Sequence, residues 1–138
     1  MSAISAGIRR FCKDILRQYP SLKRELAAYE SERQAILESY PSAPWEKPLD
    51  AKNLADPTAN QFFKLLRLEE RWHSTRFYVQ AVEDLLACLD EEKRKLVELC
   101  YFDGLPAWRA AQKLGIDEST LYRYQVPILE MLARRLGL

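Results

Sequence analysis

Residues 108–124 read WRAAQKLGIDESTLYRY. This stretch consists of two short amphipathic segments, one on each side of a glycine. Ala110 and Ala111 leave room for a crossing helix, and Gly115 can adopt the positive φ that a short turn requires. Five residues have the spacing needed to close a small core between two helices: Ala110, Leu114, Ile116, Leu121 and Tyr124. The pattern therefore predicts a helix-turn-helix, and it favours this motif over an ordinary corner of a helical bundle.

The second segment is predicted to begin at Glu118, with Asp117 as its cap. A helical period turns Leu121, Tyr124 and Ile128 inward. The outward face then carries four residues, with Thr120 and Gln125 at its margins: Glu118, Ser119, Tyr122 and Arg123. In a helix-turn-helix this second helix enters the major groove of DNA, so the outward face is the predicted DNA-binding surface.

The residue types on this face suit different parts of the duplex. Arg123 has the planar fork that matches the two acceptors of guanine. Ser119 and Thr120 lie near the helix N-terminus, where hydroxyl and backbone N–H groups can hold a phosphate. Tyr122 can reach a phosphate or a thymine methyl group, and Glu118 can accept a hydrogen bond from cytosine. Each of these, taken singly, is more commonly a solvated surface residue, so the prediction depends on their shared face.

Arg109 and Lys113, on the first helix of the motif, are predicted to clamp the DNA backbone. The net charge of the chain is only +1, and residues 90–138 contain eight basic and eight acidic side chains. Neutralisation of phosphates supplies most of the non-specific affinity of a protein for DNA. We therefore expect weak DNA binding by the monomer, raised by oligomerisation or by a partner.

A long helix is predicted from Pro57 to about Leu89, with Asp56 as its cap and Pro57 at its first position. Along it, one set of positions repeats at alternating steps of three and four residues: Leu65, Leu68, Trp72, Thr75, Val79, Val82, Leu86 and Leu89. This is the seam of a bundle or a coiled coil. It indicates packing on the N-terminal helices, a homo-oligomer through residues 57–89, or both at once.

The remaining chain predicts an all-α fold. An N-terminal helical hairpin is expected, with helices over residues 4–18 and from about 22 to 39 separated by a break at Tyr19-Pro20-Ser21. A proline-rich connector covers 40–56. We divide the chain into an N-terminal helical, coiled-coil-like domain, residues 1–88, and a helix-turn-helix DNA-binding domain, residues 89–138.

Two further features concern the C-terminal domain. Asp90, followed by two glutamates, is predicted to cap a helix that ends near Asp103-Gly104. Pro127 predicts a kink or a short break near residues 124–126, which would leave a recognition helix of little more than two turns. The alternative is a motif that has lost DNA contact and binds protein.

Several classes of function are not supported by the sequence. No apolar run reaches membrane-spanning length, and the N-terminus lacks the order of a secretory signal. Cys12, Cys88 and Cys100 are isolated, and with the single His73 they predict no metal site and no cofactor. No nucleophile–base pair, paired-carboxylate motif or phosphate loop is present, so we expect no enzyme activity. Reduced cysteines suggest a cytoplasmic protein.

The segment Leu89-Asp-Glu-Glu-Lys-Arg-Lys-Leu-Val-Glu-Leu-Cys-Tyr-Phe-Asp-Gly-Leu105, followed by the motif, resembles region 4 of bacterial sigma factors. The chain as a whole resembles phage late-gene transcriptional activators of the RinA/ArpU type. The more specific elements of this resemblance are Asn53-Leu-Ala-Asp-Pro-Thr-Ala59 and the stretch 119–124, Ser-Thr-Leu-Tyr-Arg-Tyr. The resemblance implies a DNA-binding activator of phage late genes that acts through host RNA polymerase as a sigma-like module.

Three functions follow as hypotheses. The first is a transcriptional regulator of phage or prophage origin in the bacterial host cytoplasm, with double-stranded DNA and RNA polymerase as partners and no membrane. The second is a small terminase-like DNA-packaging protein, which also joins a helix-turn-helix to long oligomerising helices. The third is a sigma-mimicking interaction module that makes no contact with DNA.

Overall fold

The computed structural model describes residues 4–38 and 57–138, and all regular elements within these ranges are helical. They are α1 (Ala6–Glu38), α2 (Pro57–Cys88), α3 (Glu91–Val97), a π-helical turn (Glu98–Phe102), α4 (Ala107–Leu114) and α5 (Glu118–Arg135). The predicted all-α fold is confirmed. None of the helices in these two ranges combines the length and apolar character needed to cross a membrane.

The predicted break in the N-terminal helical hairpin is wrong. α1 continues from Ala6 to Glu38 with Pro20 inside it, so one helix replaces the two expected. A proline inside a helix removes a hydrogen bond and crowds the preceding turn. Directly before Pro20, however, α1 buries Ile15, Leu16 and Tyr19. We attribute the continuity of α1 to this burial, which outweighs the local cost of the proline.

α2 begins at Pro57, as predicted, because a proline at the first helical position loses no hydrogen bond. Asp56 and the connector 40–56 lie outside the described residues. All eight positions of the three–four repeat are buried or half-buried within the single chain. Packing inside the single chain therefore covers these positions at least in part, and a homo-oligomer through residues 57–89 stays a prediction.

The chain forms two compact units. The first contains Met1–Leu22 and Phe77–Leu138, and the second contains Lys23–Arg76. Residues on both sides of the predicted domain boundary at 88/89 belong to the first unit. That residues 89–138 form an independent DNA-binding domain stays a prediction.

Within the second unit, two contacts join α1 and α2. The side-chain amide of Gln61 donates a hydrogen bond of 2.6 Å to the carbonyl oxygen of Ile36. Arg33 Nε lies 3.8 Å from Glu69 Oε1 in an exposed ion pair. Because exposed pairs stabilise little, the buried side chains Leu68 and Thr75 matter more for this unit.

α3 begins with the predicted cap. Asp90 has extended backbone, and its Oδ1 accepts a hydrogen bond of 2.9 Å from the Lys93 N–H. Arg94 reaches back to the end of α2, where its guanidinium donates to the carbonyl oxygens of Leu86 and Leu89, each at 3.2 Å. These contacts satisfy backbone groups at two helix ends and fix the corner between α2 and α3.

The predicted break near Pro127 is also wrong, because α5 runs without interruption from Glu118 to Arg135. Beyond the proline, the inward side of α5 has four buried residues: Ile128, Leu129, Leu132 and Ala133. Pro127 itself is exposed, so its ring occupies the solvent side of the helix. The recognition helix is therefore the first part of an 18-residue helix whose second part belongs to the core.

Candidate nucleic-acid interface

The turn between α4 and α5 depends on Gly115. Its φ is 69° and its ψ is 31°, which is the left-handed conformation that glycine adopts without a steric penalty. The Ile116 N–H donates to the carbonyl oxygen of Ala111 at 3.0 Å, and the Gly115 N–H donates to that of Gln112 at 3.2 Å. This pair of bonds defines a Schellman motif. The predicted positive φ at Gly115 is confirmed.

The core between α4 and α5 is formed by small side chains facing a large one. Ala110 and Leu121 are fully buried, and Ala111 is 3% exposed. Leu114, Ile116 and Tyr124 are half-buried around them. Because an alanine has only a methyl group, α5 can approach the α4 backbone closely, as the sequence pattern predicted.

α5 begins at Glu118, as predicted, and Asp117 occupies the capping position with extended backbone at φ −77° and ψ 153°. Its side chain, however, makes no capping hydrogen bond, so the role predicted for that side chain is wrong. The Asp117 carbonyl oxygen accepts from the Leu121 N–H at 3.0 Å. The first turn is therefore held by backbone hydrogen bonds.

The outward face of α5 lies where the sequence places it. Glu118, Ser119, Tyr122 and Arg123 are exposed, and Thr120 is half-buried at the margin. The Tyr122 side chain is 53% exposed. An aromatic ring so open to water is available to a partner, although the contact of these residues with DNA stays a prediction.

Arg123 has one contact within its own helix. Its Nη2 donates a hydrogen bond of 3.2 Å to the Thr120 hydroxyl, one turn earlier. The pair is exposed, so the bond adds little to stability. It places the exposed guanidinium beside Thr120 on α5, and the other guanidinium N–H groups remain potential donors.

The outward face of α4 contains both predicted clamp residues. Arg109 and Lys113 are exposed and separated by four residues, so they are neighbours on the helix surface. Trp108 is 60% exposed on this helix. The sequence pattern predicts no role for Trp108. Its position beside Arg109, outside the buried pair Ala110 and Ala111, is the signal that could have indicated its exposure.

Lys113 lies in an acidic environment. It helps to line an open groove of about 540 Å³, together with these residues: Asp90, Glu91, Glu92, Lys95 and Leu114. Carboxylates next to a lysine offset its attraction for phosphate. Of the two predicted clamps, Arg109 is therefore the more favourable residue for a phosphate contact.

Two side chains of α5 contact the preceding elements. Lys93 Nζ lies 5.5 Å from the centroid of the Tyr124 ring in a cation–π arrangement. Burial raises the pKa of the Cys100 thiol, and a hydrogen bond with Gln125 opposes this rise. The inner side of α5 is thus fixed against α3 and the π-helical turn, while the opposite side stays open.

Comparison with known proteins agrees with this geometry. Residues 79–124, one third of the chain, match the family model described as "Sigma-70, region 4". The match begins in α2 and ends at Tyr124 in α5. No curated protein and no solved structure matches the chain. Residues 79–124 are therefore similar to sigma-70 region 4, a family of DNA-binding regulatory helix-turn-helix domains.

Proposed function

We propose that the protein is a sequence-specific DNA-binding transcriptional regulator that activates phage or prophage late genes. It acts in the bacterial host cytoplasm, together with RNA polymerase, as a sigma-like module. The observation that carries the proposal is the two-sided character of α5. Leu121 is fully buried on one side, while Tyr122 and Arg123 are exposed on the other. A helix with one buried and one exposed side can enter the major groove while its buried side stays packed in the protein core.

On this surface Arg123 reads a guanine, and the Ser119 and Thr120 hydroxyls hold a phosphate near the helix N-terminus. Tyr122 contacts a phosphate or a thymine methyl group, and Glu118 accepts from a cytosine amine. Base contacts of this kind specify sequence, whereas phosphate contacts set the position of the protein on the duplex.

Arg109 and Lys113 act as the backbone clamps. The acidic groove beside Lys113 reduces its contribution, which agrees with the equal numbers of acidic and basic residues in positions 90–138. The helix-turn-helix then binds weakly on its own. RNA polymerase or a second copy of the chain supplies the additional affinity.

We also propose self-association through α2. The positions of the seam are buried or half-buried within the chain, so we place the contact with a second copy on a different face of α2. Phe62 is 61% exposed, Phe63 is 60% exposed and Leu66 is 44% exposed, all within about one turn of α2. Clustered exposed aromatic side chains are typical of protein contact surfaces.

The decisive experiment is a binding-site selection with the purified protein, followed by affinity measurements of the Arg123→Ala variant on the selected duplex and on each single-base substitution. We expect this variant to lose discrimination at one G·C pair by about 10–100-fold, since a bidentate pair contributes about 1–3 kcal/mol. Arg134→Ala is the matched control, because Arg134 is an exposed arginine at the other end of α5. Equal discrimination by wild type and Arg123→Ala at every base pair would refute this assignment.

Two further measurements separate the alternative functions. Light scattering after size exclusion would reveal a ring of many subunits if the protein packages DNA, whereas a monomer or dimer agrees with regulation. Transcription by RNA polymerase from a template containing the selected site should increase when the protein is added. Stimulation without any DNA binding would instead indicate the interaction module that contacts polymerase alone.

A further inference from the structure

α1 carries a row of basic side chains along one face. Arg10, Lys13 and Arg17 follow one another at steps of three and four residues, so they lie on the same side of the helix. Arg10 and Arg17 are exposed, and Lys13 is half-buried. Cys12 and Leu16 are fully buried on a different face of the same helix. The row is therefore on the solvent side of α1.

In the first unit, the net positive charge is concentrated on the part of α1 that belongs to this unit. Between Ala6 and Leu22 there are four basic residues and one acidic residue, Asp14. By contrast, residues 90–138 have no net charge. Asp14 Oδ1 lies 3.5 Å from Arg17 Nη1, and both side chains are about half exposed. An exposed pair of this kind is weak and readily exchanged for another anion.

The basic row is fixed on the same compact unit as the helix-turn-helix. The Tyr19 ring stacks on Phe102 with centroids 5.0 Å apart, which joins α1 to the π-helical turn. Burial raises the pKa of Tyr101 in this turn, and the positive charge of Arg17 opposes the rise. α1 is thus packed against the π-helical turn that precedes α4.

We infer that the face of α1 formed by Arg10, Lys13 and Arg17 is a second DNA-binding surface, which contacts phosphates and not bases. The inference rests on the proposed function. Lysine and arginine side chains gain affinity by releasing the counterions condensed on DNA, and this gain is independent of sequence. The surface supplies the electrostatic affinity that the neutral helix-turn-helix lacks, while α5 supplies the discrimination between sequences.

The test compares two double variants of the full chain. Arg10→Gln/Arg17→Gln removes two positive charges from the basic row of α1. Arg67→Gln/Arg71→Gln removes two from exposed positions of α2 in the second unit. Glutamine has a helix propensity close to that of arginine, so both variants should keep their helices. Circular dichroism and thermal unfolding check this directly.

We expect the α1 double variant to bind more weakly, by the same factor, to the selected duplex and to a scrambled duplex. The slope of log affinity against log salt concentration is negative, and it should become shallower by about 1.8, which corresponds to two lost phosphate contacts. The α2 double variant should keep the wild-type slope. The single variant Arg10→Gln provides an independent measurement, in which the slope should become shallower by about 0.9.

Three outcomes would overturn the inference. The α1 variants could keep the wild-type slope, or the α2 double variant could lose as much slope as the α1 double variant, which would indicate an effect of net charge alone. The α1 double variant could also lose binding to anionic lipid vesicles while its DNA binding stays unchanged, which would identify a membrane-facing surface. Failure of the proposed function is distinguishable, since the wild type would then show no preference for any sequence, whatever the α1 variants do.

Discussion

The Tyr19 hydroxyl donates a hydrogen bond of 3.2 Å to Glu83 Oε1, which joins α1 to α2 across 64 positions of the sequence. Tyr19 is 7% exposed, and its ring also stacks on Phe102. A single side chain therefore connects α1, α2 and the π-helical turn. This contact holds α1 against the segment that precedes the helix-turn-helix, and its two components can be separated by mutation.

Tyr19→Phe should keep the stacked ring and remove the hydrogen bond. At neutral pH we expect the free energy of unfolding to fall by about 1 kcal/mol, since a net hydrogen bond contributes roughly this amount. Urea denaturation of both proteins measures the difference. An unchanged unfolding free energy would show that water replaces the hydroxyl contact without cost.

Tyr19 should also make the stability of the fold depend on pH in the alkaline range. Burial, together with the charge and hydrogen bond of Glu83, raises the pKa of Tyr19 from 10.0 to about 12. The folded state then holds the phenolic proton more tightly than the unfolded state, so stability is lost as pH rises from about 10 to about 12. Tyr101, whose pKa burial also raises, adds to this loss. Urea denaturation at pH 9 and at pH 11.5 should therefore show a smaller loss of unfolding free energy in Tyr19→Phe than in the wild type.

The local signals in the sequence were sufficient for the motif itself. Gly115, Asp90 and Pro57 act within their own turns, so their sequence neighbours define their roles. The inward and outward faces of α5 follow from a helical period alone, and the burial of Leu121 and the exposure of Arg123 agree with it. Features of this kind require no knowledge of the rest of the fold.

The two errors about helix breaks arose where distant packing opposes a local preference. Pro20 and Pro127 both predict breaks, yet each lies inside a continuous helix next to fully buried side chains such as Leu16 and Ile128. Tyr101 was not predicted to be in the core, although it is 5% exposed. It belongs to the π-helical turn, whose wider spacing departs from the 3.6-residue period used to assign inward positions.

Gly115→Ala should lower the free energy of unfolding by about 1 kcal/mol. A left-handed backbone costs a residue with a Cβ about 1–2 kcal/mol, and the loss of freedom in the unfolded chain recovers part of this cost. No described atom lies within 4 Å of a Cβ built at this position, so backbone strain is the main term. Gly115→Asn is the control and should lose less, because asparagine tolerates positive φ. Equal losses in both variants would point to a cause other than φ.

Leu121→Ala should destabilise the first unit by about 2–5 kcal/mol, the usual cost of deleting a fully buried leucine side chain. Leu121 is 0% exposed, and the buried residues of α4, Ala110 and Ala111, have side chains too small to fill a large cavity. The control is Leu37→Ala, at a position that is 41% exposed, where the change should be within about 0.5 kcal/mol. Chemical denaturation of the two variants provides the comparison. Similar losses would mean that α4 and α5 do not share a closed core.

Pro127→Ala should raise the free energy of unfolding by about 1–3 kcal/mol. The alanine restores an N–H that can donate to the Arg123 carbonyl oxygen one turn earlier, and it removes the contact of the proline ring with that turn. Pro106 supplies the matched control, because it lies at the capping position of α4 with φ −65°, where a proline breaks no helical hydrogen bond. Pro106→Ala should lower stability by about 0.5 kcal/mol, since the unfolded chain gains freedom. Opposite signs for the two variants, measured by urea denaturation, are the expected result. A loss of stability in Pro127→Ala would instead mean that the geometry of α5 depends on the proline.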